Sequence, residues 1–283
     1  MDIIDTHCHV IAQDQNRYPW SPIGGKPSAW ATSRPVTAEG MLARMDEAGI
    51  RQSVLVQATT AYGYRNSYVL DSVAVHPERL LAVGTFDPLT LDAPARLASA
   101  VDVRGLAGVR LFTSGSTVPT QGEWFAAPEA DPFWHAAGEL DVTVCLQMRL
   151  GAATGQLVDV LERFPTVRVL LDHIGYPDIA AGPERAGKEV AELAGHPGLY
   201  LKLTHRNLEP LHAAGERAIE FLTPVIESFG AGRIAWGSNL PAAEQPLTEL
   251  VDLARTVLAP LPAAARQEIF AGTARRLYPS LAG

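Results

Sequence analysis

Two histidines stand two residues apart near the start of the chain, in Ile3-Ile4-Asp5-Thr6-His7-Cys8-His9-Val10. On a strand, residues i and i+2 share a face, so His7 and His9 point the same way. A third, His173, closes the apolar run Val167–His173. Three neutral imidazoles meeting at one spot can polarise a reacting carbonyl or coordinate one divalent metal, with Zn²⁺ the best match. Equally, they can be hydrogen-bonded residues that hold a substrate with no metal at all. Arg110 lies inside Leu106–Phe112 and requires an anionic partner. A substrate carboxylate matches a guanidinium bidentately, and an ion pair with Asp87 or Asp172 is the alternative. Arg149 and Lys202 are candidates for the same anion. Gln57 and Gln147 are candidates for substrate carbonyls, or for bonding neighbouring strand ends. Tyr18 and Trp20, with Trp30, Tyr62 and Tyr64, either wall the pocket or pack their own loops. His205 is a candidate acid–base group, a fourth nitrogen ligand or a solvent-facing residue.

These side chains need a scaffold that brings them to one place. Eight short apolar runs cross the chain: Ile3–Val10, Gln52–Ala58, Leu80–Phe86, Leu106–Phe112, Val142–Met148, Val167–His173, Leu199–His205 and Arg233–Asn239. Each is nearly continuous rather than alternating, as parallel strands covered on both faces are. Helical patterns lie between them. Thr37 is a plausible N-cap and Gly49 a plausible stop for the first, which runs to Ala48. A last helix is expected over residues 263–277. Strand–helix units repeated eight times predict a (β/α)8 TIM barrel, with chemistry at the C-terminal ends of its strands. A doubly wound open sheet is the runner-up, but no GxGxxG follows the first strand. The loop over residues 12–36 is long enough to cover the barrel mouth. One domain over residues 1–283 is expected.

Composition removes other classes. The 283 residues carry 23 Lys plus Arg against 31 Asp plus Glu, a formal charge of −8. That balance disfavours nucleic acid and anionic membrane surfaces as partners. Cys8 and Cys145 are the only cysteines and sit in apolar runs, so buried free thiols are expected. The sequence shows no signal peptide and no apolar run of about 18 residues, so a cytoplasmic protein is expected. A homo-oligomer is compatible with all of this.

Several motifs together resemble a known family. DTHCHV, the RYPW loop, VLVQAT, GVRL, LLDHIGYP, WGSNLP and the terminal FAGTARRLY resemble the amidohydrolase-2 branch of the amidohydrolase superfamily, within it the 2-pyrone-4,6-dicarboxylate lactonase-like group. The resemblance runs in order over nearly the whole chain. It implies a (β/α)8 barrel that hydrolyses a small carboxylated lactone or cyclic ester. His7, His9 and His173 would be site residues, and Arg110 the carboxylate contact. It implies either no cofactor or one divalent ion on the three histidines. Thr273 in the terminal motif stands where the family often has Asn, and a second departure matters more. The Asp expected on strand eight as general base is Asn239, and an amide cannot accept a proton. An introduced replacement, another base (His205, His173 or Asp172) or altered chemistry would each account for it. A metal-assisted decarboxylase or other lyase is therefore the second reading, and a non-catalytic small-molecule binder the third.

Overall fold

A computed structural model describes residues 1–282. Gly283, the last residue of the span expected for the domain, lies outside the described residues. Eight strands form one sheet in the order β1 (Ile4–Cys8), β2 (Gln52–Val56), β3 (Leu80–Thr85), β4 (Gly108–Phe112), β5 (Thr143–Gln147), β6 (Val169–Leu171), β7 (Leu199–Leu203) and β8 (Ile234–Trp236). Every neighbouring pair is parallel. The first and last strands meet beyond their ends. His9 N–H donates to Leu240 O at 2.8 Å and Asn239 N–H to His7 O at 2.6 Å. The sheet thereby curls into the (β/α)8 barrel that the eight apolar runs predict.

Both faces of the strands are buried, which explains their continuous hydrophobicity. Outward side chains such as Val109, Val144, Leu171, Leu201 and Trp236 pack under the helices. Inward side chains such as Val54, Leu81, Leu170, Tyr200 and Ala235 fill the lower barrel, where Ala271, Ala274, Leu277 and Tyr278 pack against them. The expected last helix thus lies against the N-terminal end of the barrel. It is not one regular helix, because a π-helical turn over Glu268–Gly272 joins Ala263–Gln267 to Thr273–Leu277. Each large apolar side chain buried in this way contributes about 1.5–3 kcal/mol.

A bulge in β1 aims the two histidines. Asp5 pairs with Ser53 and Cys8 with Leu55, so three steps on β1 face two on β2. The extra residue turns the strand between Ile4, which faces inward, and Cys8, which faces outward. Asp5 holds the bulge. Its Oδ1 accepts from His7 N–H at 3.0 Å and Ser238 N–H at 2.9 Å, and its Oδ2 accepts from the Ser238 hydroxyl at 2.5 Å.

Two local expectations are corrected. The seventh run does not stay extended to His205, because β7 ends at Leu203 and a helix spans His205–Ala214. Thr204 and Asn207 form a capping box at its start, which begins the helix one residue earlier than an extended reading allows. The sixth run also ends early. β6 stops at Leu171, and His173 (φ 57°) and Ile174 (φ 53°) adopt left-handed backbone. The Thr37 cap and Gly49 stop are present: Gly40 N–H donates to the Thr37 hydroxyl at 3.0 Å, and Gly49 has φ 70°.

The loop over residues 12–36 is tied to the segment after β2. Ser28 N–H donates to Thr60 O at 3.1 Å, and the Thr60 hydroxyl donates to Ser28 Oγ at 2.8 Å. Among the described residues no helix is long and apolar enough to cross a membrane. Because Asp5 joins the β1 bulge to the loop after β8, Asp5→Ala is expected to lower unfolding free energy by about 3 kcal/mol. Urea denaturation measures this, and a loss below about 1 kcal/mol would contradict the role.

Candidate active site

A cavity of about 600 Å³ opens at the C-terminal ends of the strands. His9, His173, Arg110, Gln147 and Asn239 line it, together with Arg149 and Arg206. Trp30 and Tyr176 supply aromatic walls. The Trp30 ring stacks on His9 at 5.3 Å between centroids and 22° between planes. The anchored loop therefore brings an aromatic face onto a histidine of the site.

At and beneath the cavity floor lies a buried charged cluster. Lys202 Nζ is 2.8 Å from Asp172 Oδ1, and Arg110 Nε is 3.2 Å from Asp172 Oδ2. Lys202 also donates to His7 Nδ1 at 3.2 Å and to Cys145 Sγ at 3.4 Å. His7 is fully buried and sits between the other two imidazoles, 4.9 Å from His9 and 5.1 Å from His173 between centroids. The remaining rings have anchors of their own. His9 Nδ1 lies 2.7 Å from Val56 O, and His173 Nδ1 lies 2.7 Å from the Thr204 hydroxyl. A carbonyl only accepts, so His9 carries its proton on Nδ1 and a lone pair on Nε2. The Asn239 side chain is within hydrogen-bonding reach of the same ring.

Electrostatics follow from burial and these neighbours. Burial would raise the Asp172 carboxyl, but the Lys202 ammonium, with the Arg110 guanidinium beside it, holds it well below the usual carboxylate range. Asp172 stays a carboxylate and is a poor proton acceptor. Burial and then Arg110 push His9 down to about 3. His7 goes well below its ordinary value through burial and Lys202. His173 follows through burial, with Arg110 and Arg206 adding to it against Asp172. The imidazoles of the site are therefore neutral at neutral pH. Burial raises the Tyr176 hydroxyl to about 12, so it remains a donor.

Not every expected residue reaches the cavity. Lys202 is buried below the floor, away from any substrate carboxylate. The Gln57 amide is spent on Gly63 O at 3.3 Å and Arg65 O at 2.6 Å. The Tyr18 hydroxyl donates to Asp71 at 2.8 Å, and Trp20 stacks on Tyr62, so both pack the loop beside the mouth. His205 opens its helix and faces a neighbouring depression with Glu209 and Gln245. Arg110 lines the cavity but is paired with Asp172, the alternative partner raised above, and its Nη2 donates to Gln147 Oε1. The other amide group of Gln147 donates to Ser114 O at 2.8 Å and Tyr176 Oη at 3.2 Å. Arg149 does reach the cavity, its guanidinium 4.6 Å from the Tyr176 ring centre. Sequence reasoning missed Arg206 and Tyr176. The Thr204–Asn207 capping signal would have placed Arg206 in the first turn of a helix at the rim.

The donor set does not suit a metal. Among the described residues no group of three or more His, Cys, Asp or Glu side chains is arranged to hold one. The Asp172 carboxylate is taken by two cations, His7 Nδ1 is covered by an ammonium, and Asn239 offers an amide. The buried histidines also set an acid limit on stability. Their folded values lie below the unfolded 6.5. Stability is whole above pH 6.5 and is lost as pH falls through it, because the unfolded chain binds protons first. Each such histidine contributes up to about 1.4 kcal/mol per pH unit. Calorimetry is expected to show Tm falling steeply from pH 6.5 to 5, and a flat Tm would contradict these assignments.

Comparison with known proteins agrees with this architecture. The amidohydrolase family model matches residues 4–280. An L-fucono-1,5-lactonase from Burkholderia ambifaria is 28% identical over 244 residues, covering 85% of this chain and 80% of that protein. A Pseudomonas putida protein provisionally classed as a 2-pyrone-4,6-dicarboxylic acid hydrolase superposes with a TM-score of 0.79 at 24% identity, covering 99% of this chain and 98% of that one. A Burkholderia multivorans amidohydrolase with bound zinc superposes with a TM-score of 0.71 at 21% identity, covering 99% of both chains. With its eight-stranded barrel and a match over nearly its whole length, the chain belongs to the amidohydrolase family.

Proposed function

We propose that this chain hydrolyses a small lactone or cyclic ester that carries a carboxylate. One observation carries the reading: neutral imidazoles and two unpaired guanidiniums face one cavity. Arg110 has its acidic partner in Asp172, whereas Arg149 and Arg206 make no ion pair among the described residues. Cations left free on a cavity wall match an anionic substrate. A volume of about 600 Å³ suits one small ring. The lactonase relative and the pyrone-dicarboxylic acid hydrolase neighbour are both named for substrates with a cyclic ester, which supports the same bond type here.

In this reading Arg149 and Arg206 hold the carboxylate and Trp30 covers the ring. The ester carbonyl faces the imidazoles at the floor, and Asn239 orients a water beside His9. As that water attacks the acyl carbon, His9 Nε2 takes its proton. The carbonyl oxygen becomes an oxyanion stabilised by imidazole N–H. Collapse breaks the bond to the ring oxygen, which receives the proton back from His9. The product is an open hydroxy acid, and its new carboxyl releases one proton at neutral pH. His9 takes the place of two bases suggested by the sequence, Asp172, which is locked by two cations, and His205, which faces another depression; the third, His173, lines the cavity beside His9 and is assigned to the carbonyl. No step in this sequence calls on a metal, and the donor set described above does not suit one.

Three outcomes test this with a pH-indicator assay on a panel of carboxylated and sugar lactones. Arg206→Met or Arg149→Met is expected to raise KM for a carboxylated lactone roughly 10-fold or more, with kcat little changed. His9→Asn is expected to lower kcat by about 10²–10⁴. Since His9 is pushed down to about 3, kcat/KM per folded enzyme is expected to stay level from pH 8 to pH 5, because the base loses its lone pair only near its own value. An inflection near 6.5, an active His9→Asn enzyme, or CO₂ release in place of ring opening would overturn the reading.

A further inference from the structure

Lys202 occupies an unusual place for a lysine. It lies on the inward face of β7, is wholly enclosed, and points at no part of the cavity. Three electron-rich atoms surround its ammonium: Asp172 Oδ1 at 2.8 Å, His7 Nδ1 at 3.2 Å and Cys145 Sγ at 3.4 Å. An ammonium only donates, so His7 Nδ1 must accept. The competing arrangement has His7 Nδ1–H donating to Asp172. That arrangement is the poorer one, since Oδ1 is 3.5 Å away against 3.2 Å for the ammonium, and the proton would face the ammonium. A neutral imidazole with its lone pair on Nδ1 carries its proton on Nε2. That Nε2 is buried and has no hydrogen-bond partner. Its ring lies between His9 and His173, both of which line the cavity. A buried donor with nothing to bond is costly unless another molecule supplies the acceptor.

We propose that Lys202 is a positioning residue that fixes His7 as an Nε2–H donor for an oxygen entering between His9 and His173. Its charge, with that of Arg110, does at the floor what a divalent ion would do in a metal-dependent relative. The same arrangement disqualifies His7 as a ligand: one nitrogen is covered by the ammonium and the other holds a proton. The oxygen in question is the ester oxyanion of the proposed reaction, and in that respect the inference rests on the lactonase reading.

Histidine-labelled wild-type protein and long-range proton–nitrogen NMR read the tautomer directly, with His7→Gln assigning the signal. The expected result is a protonated Nε2 and an unprotonated Nδ1 on His7 at neutral pH. A protonated Nδ1 would overturn the proposal, and the tautomer itself is read in the wild-type protein. Titration with Zn²⁺ alone gives a second readout. Lys202→Met, or Lys202→Met combined with Asp172→Asn if the single variant does not fold, is expected to bind zinc at least about 10-fold more tightly than wild type. Equal or tighter zinc binding by the wild type would overturn the proposal. For an accepted lactone, kcat in the folded variant is expected to fall about 10²-fold with KM nearly unchanged. An Nε2–H His7 in a chain that opens no lactone would support the Lys202 assignment and count against the ester reading alone.

Discussion

The site depends on one carboxylate with both oxygens claimed. Asp172 accepts Lys202 on one side and Arg110 on the other, at zero exposure, under the floor of the cavity. Burying three charges is expensive, and removing any one of them would leave an uncompensated ion in a low-dielectric interior. The cluster ties β4, β7 and the turn after β6 to one point. It also sets the electrostatic tone of the imidazoles, since Lys202 disfavours protonation of His7 and Arg110 disfavours protonation of His9 and His173. Neutral imidazoles are what carbonyl polarisation and proton acceptance both require.

Strain gathers at the same place. His173, Ile174, Tyr176 and Asn239 all have positive φ. Each non-glycine residue held there costs on the order of 1 kcal/mol or more, so the surrounding structure must hold it in place. The anchors are visible. Asn207 donates to His173 O at 2.8 Å, and Asn239 N–H bonds His7 O. The turn after β6 thus swings His173 and Tyr176 over the barrel axis, where a straight strand would have carried them past it. The β1 bulge, held by Asp5 and Ser238, does the corresponding work for His7 and His9.

Much of this is legible in the residues. Continuous Val, Ile and Leu runs identify the eight strands because both faces of a barrel strand are covered. The His-x-His spacing places two rings on one face whatever the rest of the fold does. What escaped has physical causes. Arg206 was hidden because a seventh strand drawn through His205 overlooks the capping signal of Thr204 and Asn207. Tyr18 and Trp20 sit on the expected loop, but loop composition cannot tell which aromatic turns inward, and Trp30 is the one that does. Lys202 was read as a substrate-binding candidate at a strand end. Its alternation with Leu201 and Leu203, which face the helices, points it into the barrel. The choice between a substrate carboxylate and Asp172 as the partner of Arg110 is a three-dimensional question that spacing alone does not decide.

The central claim is that neutral imidazoles act on an ester carbonyl while free guanidiniums hold an acid group of the same small ring. The most direct test compares a carboxylated lactone with its neutral methyl ester in chelator-treated protein of known metal content. The account predicts sustained ring opening of the acid, with kcat/KM at least about 10²-fold above that of the methyl ester, since two charge-assisted contacts are lost. Equal rates for the two compounds, or activity that vanishes with the chelator and returns only with a metal, would contradict it.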